Sequence, residues 1–557
     1  MLLQGKRILV DSRKTRPPGD LIIIESPKKI VHLNKLLRGI NREMRIEATI
    51  GRLFDIEPID PAQFIREGRI QWSPIRPSIV GRIVNSINQS SEIFVATDSD
   101  VEGEVIAWHI QRLAESSGKT VRRIHIKSLN PEGLTLALSQ ECPIDFKKAE
   151  GGVSRRIFDN FSQFSVDDDT AKRKPYLRGS VGRIITPILS SIAKRPLEDL
   201  IVRRSFPLGK TDIYVGAPVS LNNDQILRRM ESLPPPVVSG IKTSTEIMTG
   251  GLSLSDVMTR FPGALNSKPS EIYESLNELY GEGRITYFRT DSRRMSPKSA
   301  KSLSKKLTDC GIHGKGIAGH PEAGKQDAHE AIMPLSMDSN PFSPISSLNS
   351  KDALMSLLWR HYAMVQSGYK IVTENGILSG DAAENQGWLR LQREGVNLSA
   401  QRSYAKSTEG RENRAWDSEL MPMGIPCFEA VNETLAYRRY GAEELIVRRL
   451  VEEGLGRPST LGQHGKKIAD KFAPKGALNG RSYGALNEAK TTAPHLMAPS
   501  VARAIEEELH IGEDGDSVTD RVFRSLTRSG WIRNEEFENN DLKSVETHRK
   551  FSQSFGM

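Results

Sequence analysis

The sequence predicts a multidomain chain of the α/β plus α class, with an N-terminal α/β domain followed by alternating helical and strand-rich segments. Three observations point there. Two strand–turn–helix units stand near the N-terminus, at 21–37 and 93–113. Beyond residue 150 the pattern switches repeatedly between helical and strand-like stretches. The 557 residues suffice for about three to five domains.

The first unit opens with Leu21-Ile22-Ile23-Ile24, a strand-forming run that ends at Glu25. Ser26-Pro27 suits a helix start, and Ile30, Leu33, Leu36 and Leu37 form a helical stripe. Glu25 therefore stands at the carboxyl end of a strand, where open α/β sheets bind ligands. Lys28 and Lys29 occupy the first helical turn, where the dipole disfavours cations, so an anion nearby is expected.

The second unit runs Ile93 to Thr97 as strand, then Asp98-Ser99-Asp100-Val101-Glu102-Gly103-Glu104, then a helix with Val105, Ile106, Ile110 and Leu113 on one face. Clustered carboxylates at a strand end repel one another, which raises the cost of ionising them. A hard divalent cation such as Mg²⁺ would relieve that repulsion. The plainer reading of the same acids is a helix start stabilised by its dipole. Ile124-His125-Ile126 reads as a further short strand, and Pro143 with Gly151-Gly152 closes the domain.

Composition bounds the function. Hydrophobic residues make up 37% and the net charge is +9, whose sign favours an anionic partner such as nucleic acid. Mean hydropathy is −0.42. Cys142, Cys310 and Cys427 form no CxxC pair, so neither a zinc ribbon nor a disulfide framework is written here, and a reducing compartment is expected. No apolar run approaches the roughly 18 residues of a membrane span. The basic N-terminus before Pro17-Pro18-Gly19 has no signal-peptide core and reads as a short arm.

Residues 150–205 look mostly helical and basic. Within them Gly179-Ser180-Val181-Gly182-Arg183 suits a phosphate contact by backbone N–H and guanidinium, or a helix-start turn. Residues 206–250 read as strands. Gly209-Lys210-Thr211 resembles the end of a P-loop, but the first glycine would fall on Arg204, so ATP-driven chemistry is not supported. Helix returns from 252 to 345, strand from 365 to 440, and helix again at 498–509, before a polar tail from about Asn539.

One stretch organises the rest. Ile272, Leu276, Leu279 and Tyr280 make a helical stripe that stops at Gly281 and Gly283. A β-prone segment, Ile285 to Phe288, follows and leads into Arg289-Thr290-Asp291-Ser292. Tyr287 and Arg289 would share one strand face. A phenol beside a guanidinium can attack a phosphate, although a tyrosine in a strand is ordinarily packing. Gln326 to Pro334 carries His329, by itself an ordinary core or cap histidine, and Gly454-Leu455-Gly456-Arg457-Pro458-Ser459-Thr460 opens the last region.

Together these motifs resemble the type IA DNA topoisomerases, in the family's order over roughly residues 20–465. LIIIESPKK is similar to the opening of the family's Toprim domain, ATDSDVEGEVIAWH to its acidic motif, SVGRIITP to SAGRVQxP, and GRITYFRTDS to the active-site tyrosine motif. DAHEAIMP is similar to DAHEAIRP and GLGRPST to GIGRPST.

The resemblance implies a Toprim α/β domain with helical domains and a β-rich arch forming a toroid. Its segments would be 1–147 (Toprim with arm), 148–205 (helical domain IV, first part), 206–251 (arch domain II, first part), 252–348 (helical domain III with the tyrosine), 349–440 (domain II, second part) and 441–557 (domain IV, second part, and tail). Tyr287 would be the nucleophile that forms a 5′-phosphotyrosyl link and Arg289 would hold the scissile phosphate. Glu25 would be general acid and base, Lys29 would stabilise the charged transition state, and His329 would order the network. Asp98, Asp100 and Glu102 would hold Mg²⁺. Arg183 and Ser180, with Arg457, Ser459 and Thr460, would contact DNA. The implied enzyme is an ATP-independent cytoplasmic monomer at the nucleoid that acts on single-stranded or underwound DNA. RNA as a second substrate, and relaxation against decatenation, stay open. A regulatory DNA-binding protein that keeps the toroid is the alternative. A Toprim nuclease or primase leaves GRITYFRTDS without a role.

The chain also departs from the family pattern. Val101 stands where DxDREGE has arginine, Met333 where HEAIRP has arginine, Val181, Ile184 and Ile185 within SAGRVQ, and Leu461-Gly462 where an aromatic usually follows RPST. Weaker DNA binding or altered metal dependence is expected, with the bond chemistry intact. Tyr287 is expected at an interface between its own domain and the N-terminal domain.

Overall fold

The computed structural model describes residues 19–60, 63–64, 70–164, 179–206, 211–247, 250–314, 316–317, 329–337, 345, 348–407, 429–430, 432–511 and 516–532. The expected N-terminal arm, the tail from Asn539 and Asp327-Ala328 of the histidine motif lie outside the described residues. The chain divides into two compact units, residues 1–190 with 483–557, and residues 191–482.

In the first unit the strands are β1 (Gly19–Ile24), β2 (Met44–Ala48), β3 (Phe54–Ile56), β4 (Trp72–Pro74), β5 (Ser90–Val95), β6 (Arg122–Ile124) and β7 (Glu141–Cys142). One sheet has the order β2-β1-β5-β6-β7, and β3 pairs separately with β4. β1 lies parallel to β2 and to β5, and only β7 runs antiparallel. Strands buried on both faces read as unbroken apolar runs, which is why Leu21 to Ile24 shows no alternation. Leu21 and Ile23 pack with Ile83, Ile87, Ile106 and Ile110 on one face. Ile22 and Ile24 point the other way and are buried too.

The helix Val101–Ser116 starts where β5 ends, and it packs on the helix Phe146–Phe164. That second helix also carries the helices Pro499–His510 and Val518–Ser529. Phe158 and Phe161 meet the indole of Trp531 edge-on, at centroid distances of 5.4 and 6.1 Å. The last described helices therefore belong to the N-terminal unit.

In the second unit β8 (Glu198–Phe206), β9 (Thr211–Pro218), β10 (Val238–Ile247), β11 (Tyr369–Leu378), β12 (Asn397–Ser407), β13 (Glu429–Ala430) and β14 (Leu435–Arg439) form one sheet, ordered β10-β11-β12-β9-β8-β14-β13. Every neighbouring pair is antiparallel. Leu200, Val202, Ile213 and Val215 pack with Ile226 and Met230 of the helix Asn223–Ser232, and with Trp388 and Leu391 of the helix Gln386–Arg393.

Three segments differ from the sequence expectation. β8 falls inside 150–205, expected as mostly helical, because Leu200 and Val202 are buried at the strand period of two, with Ile201 half-buried between them. A helix interrupts the strands expected over 206–250. Asn222 caps it by accepting from the Gln225 amide, and Ile226 and Met230 lie one turn apart on its buried side. The helix Ser350–Gln366 lies in the segment expected to open the second part of the arch, and it packs against the helices Leu254–Leu265, Pro269–Gly281 and Pro297–Asp309. Every residue of it from Ala353 to Gln366 is buried. A helix buried all round has no amphipathic stripe for periodicity to find.

Candidate active site

In the second unit the site is built around an extended segment, not a strand. The helix Pro269–Gly281 ends as expected, and Gly283 takes a positive φ of 73° to turn the chain. Only Ile285 then makes a β-bridge, to Pro334. Thr286 does most of the alignment. Its amide donates to the Met333 carbonyl at 3.0 Å. Its hydroxyl donates to the Ala331 carbonyl and accepts from the Met333 amide, both at 2.8 Å. The segment 331–333 is fixed in turn by Tyr362, whose hydroxyl donates to the Ile332 carbonyl at 2.6 Å. Gly251 lies so close that a Cβ there would stand 2.1 Å from the Ala331 Cβ.

This pairing sets His329 against Tyr287, with ring centroids 4.8 Å apart and planes tilted 34°. Tyr280 meets the other side of Tyr287 edge-on at 5.4 Å. Tyr287 is only 4% exposed. Phe288 is buried against Tyr273 at 5.2 Å, and the Arg289 guanidinium lies 5.7 Å from the Phe288 ring centroid. Tyr273 also donates to the Ser459 carbonyl at 3.2 Å, and so ties the Arg457–Thr460 turn to the tyrosine segment. A Cβ on Gly462 would stand 3.3 Å from the Tyr273 ring. Where the motif ordinarily has an aromatic, Tyr273 from another helix lies alongside.

In the first unit the acidic turn is held by backbone as much as by charge. Asp100 caps the helix Val101–Ser116 by accepting from the Gly103 amide at 2.9 Å. Gly103 is needed because a Cβ would fall 1.7 Å from the Asp98 carbonyl oxygen. Lys29 Nζ donates to Asp98 Oδ1 at 2.7 Å, with both side chains under a tenth exposed. Arg52 clamps Glu102 with two donors, Nε to Oε2 at 2.6 Å and Nη2 to Oε1 at 2.7 Å. Glu104 is buried and accepts from Arg123 at 2.7 Å and from the Asp145 amide at 3.1 Å, with His125 Nε2 also 3.1 Å away. Glu25 follows β1 directly, and its carbonyl accepts from the Ile50 amide at 2.9 Å.

The electrostatics correct the sequence expectation. The repelling carboxylates were expected to be hard to ionise. Burial does push Glu102 and Glu104 that way. For Glu102 the Arg52 charge and hydrogen bonds, with Arg155 and Arg156 beyond, outweigh burial and hold the carboxyl below its ordinary range. For Glu104 the hydrogen bond with His125, the charge and hydrogen bond of Arg123 and the Asp145 amide bring it down to about 2. Cations from distant segments, invisible to local reading, have already offset the repulsion.

Among the described residues no three His, Cys, Asp or Glu side chains group so as to hold a metal ion. The carboxylates of Asp98 and Asp100 supply the hard oxygen donors that suit Mg²⁺. Glu102 does not assemble with them into a three-carboxylate group here, and both of its oxygens accept from Arg52.

The remaining sequence-chosen residues separate. Arg183 is closed between Asp159, at 2.8 and 3.1 Å, and Glu506, an arrangement that raises its pKa against burial. Reaching a phosphate would require it to leave that pair. Ser180 is buried. Arg457, Ser459 and Thr460 form a turn in which the Thr460 and Leu461 amides donate to the Arg457 carbonyl. Sequence reading missed Arg52, Arg123, Tyr273 and Thr286. Each acts on a partner far along the chain, and no local pattern marks such a contact.

Two family models match this chain, the DNA topoisomerase model over residues 223–519 and the Toprim domain over residues 20–129. DNA topoisomerase 1 of Aquifex aeolicus is 22% identical over 526 residues, covering 89% of this chain and 95% of that protein. DNA topoisomerase 1 of Xylella fastidiosa is 23% identical over 578 residues, covering 92% and 69%. The structure of full-length topoisomerase I from Thermotoga maritima superposes with a TM-score of 0.60 at 18% identity, over 92% of this chain and 90% of that one, which shows a shared fold. With the Toprim match on the unit that carries the acidic turn, and the topoisomerase match across the tyrosine segment, the chain belongs to the type IA DNA topoisomerase family.

Proposed function

We propose that this chain cuts and reseals one DNA strand at a time, with Tyr287 as the nucleophile. The supporting observation is the setting of Tyr287, held between His329 and Tyr280 on a segment aligned by Thr286. Tyr287 Oη gives up its proton to water as it attacks a backbone phosphorus, and the bond from phosphorus to the 3′ oxygen breaks. Glu25 gives the leaving oxygen its proton and takes it back on resealing. Arg289 binds the non-bridging phosphate oxygens and Lys29 offsets their growing charge. His329 fixes the phenol. Asp98 and Asp100 would hold Mg²⁺, whose charge, when bound, offsets that of the phosphate.

One phosphodiester is exchanged for another of similar energy, so the cycle needs no ATP, and supercoiling gives it direction. Single-stranded or underwound DNA is the proposed substrate, because a strand must be unpaired to bring its backbone to a tyrosine that is 4% exposed. Ser180, Arg183, Arg457, Ser459 and Thr460 are proposed DNA contacts, and a monomer acting at the cell's DNA suffices. The regulatory alternative has no observation in its favour, since every residue assigned to the bond chemistry is present.

The test is a denaturant-stable adduct with a labelled single-stranded oligonucleotide, run beside relaxation of negatively supercoiled plasmid with Mg²⁺ and without ATP. Wild type is expected to give both and Tyr287→Phe neither. No adduct from wild type, or plasmid relaxation by Tyr287→Phe, would overturn the proposal. A ribo-oligonucleotide lane decides whether RNA is cut, and a catenated substrate separates decatenation from relaxation.

A further inference from the structure

We infer that Arg52 is a positioning residue that competes with a divalent cation for Glu102, and so sets how tightly the acidic turn takes metal. The inference deepens the proposed function and rests on its reading of Asp98, Asp100 and Glu102. Three observations carry it. The first is geometric. Arg52 Nε and Nη2 reach separate oxygens of Glu102 at 2.6 and 2.7 Å, the paired fork in which a guanidinium holds a carboxylate most firmly. A carboxylate held so has one lone pair on each oxygen and much of its charge committed to the guanidinium, which makes it a poorer ligand for a cation.

The second observation is that Arg52 is poorly satisfied elsewhere. Among the described residues its Nη1 is buried with no hydrogen-bond partner, and beyond Glu102 its Nη2 makes a long 3.5 Å contact with the Gly152 carbonyl. Third, the backbone that delivers Arg52 is strained. Ile50 has φ 56° and Gly51 φ 84°, so two consecutive residues are left-handed and one of them is β-branched. The Ile50 amide is bonded to the carbonyl of Glu25, so the strained turn joins the general acid's backbone to the clamp.

Position 101 completes the picture. It carries valine where the family motif has arginine, and Val101 packs so closely on the helix Phe146–Phe164 that a Cβ on Gly152 would stand 2.9 Å from its methyl. The cation beside Glu102 comes instead from Arg52, fifty residues earlier in the chain. In the clamped state Asp98 and Asp100 would be the carboxylates left to hold a cation. When Arg52 lets go, Glu102 becomes a third oxygen donor.

The test is a titration of the full chain with Mn²⁺, read by the electron paramagnetic resonance signal of the free ion, and with Mg²⁺ by calorimetry. Arg52→Ala should bind the ion about tenfold more tightly than wild type, the scale of one charge-assisted paired contact. Arg52→Lys, which keeps the charge but cannot make the fork, should fall between them and serves if Arg52→Ala does not fold. The Arg52→Ala effect should vanish in a Glu102→Gln background, because the competition runs through that carboxylate. Unchanged or weaker binding by Arg52→Ala, or an effect that persists with Glu102→Gln, overturns the inference and leaves the acidic turn as a metal site. Wild type and Arg52→Ala that both bind no ion overturn the inference and the metal reading together, while the Tyr287 adduct reports on the nucleophile separately.

Discussion

The Tyr287 and His329 rings lie with centroids 4.8 Å apart, on two segments that Thr286 and Met333 join by hydrogen bonds in both directions. His329→Ala should therefore lower the rate of strand cleavage by about 10²-fold, with adduct formation slowed more than oligonucleotide binding. Single-turnover cleavage set beside a binding isotherm separates the two. Equal losses in both would mean that His329 acts in binding instead.

Thr286→Val keeps the shape of the side chain and removes the hydroxyl. The Ala331 carbonyl loses a donor and the Met333 amide an acceptor, both buried. The expected cost is about 1–3 kcal/mol, seen as a lower urea midpoint with an unchanged m-value. Cleavage should fall as well, because Tyr287 and His329 lose their register.

Arg183→Met leaves the carboxylates of Asp159 and Glu506 without their shared cation. A loss of about 1–3 kcal/mol is expected, since both carboxylates stay partly exposed and Glu506 keeps Arg155 at 3.7 Å. If Arg183 stays in that pair when DNA binds, the salt slope of DNA affinity should not change. A slope smaller by about one would assign it to a phosphate.

Acid should destabilise the first unit through two overlapping titrations. Burial pushes His109 down to about 3, with the Arg52 charge adding to it, while Glu104 is held at about 2. Both groups take up protons more readily when unfolded, so both make stability fall on acidification. The His109 contribution is complete above pH 6.5 and is lost as the pH falls towards about 3. That of Glu104 is complete above 4.5 and is lost towards about 2. His109→Phe should flatten the upper window and Glu104→Gln the lower, in urea midpoints measured at successive pH values.

Ile50→Asn replaces a β-branched residue at φ 56° with one that tolerates that backbone. It should raise stability by about 1 kcal/mol, visible as a higher melting temperature, while Arg52 stays in place. Lower stability would mean that the Ile50 side chain, 39% exposed, contributes more by packing than its backbone costs.

The sequence by itself determined the strand ends and the chemistry-bearing groups. Leu21 to Ile24, the helix that begins after Asp100 and the helical stripe before Gly283 are local patterns, and they place Glu25, the acidic turn and Tyr287 without help from the rest of the chain. Only the tertiary structure decided what those groups touch. Thr286 meets Met333, Arg52 closes on Glu102, Arg123 neutralises Glu104, and Tyr273 fills the space beside Gly462. The physical reason is range. Periodicity and capping act over a few residues, whereas the charge state of a carboxylate and the packing of a ring are set by whichever distant segments the fold brings within a few ångströms.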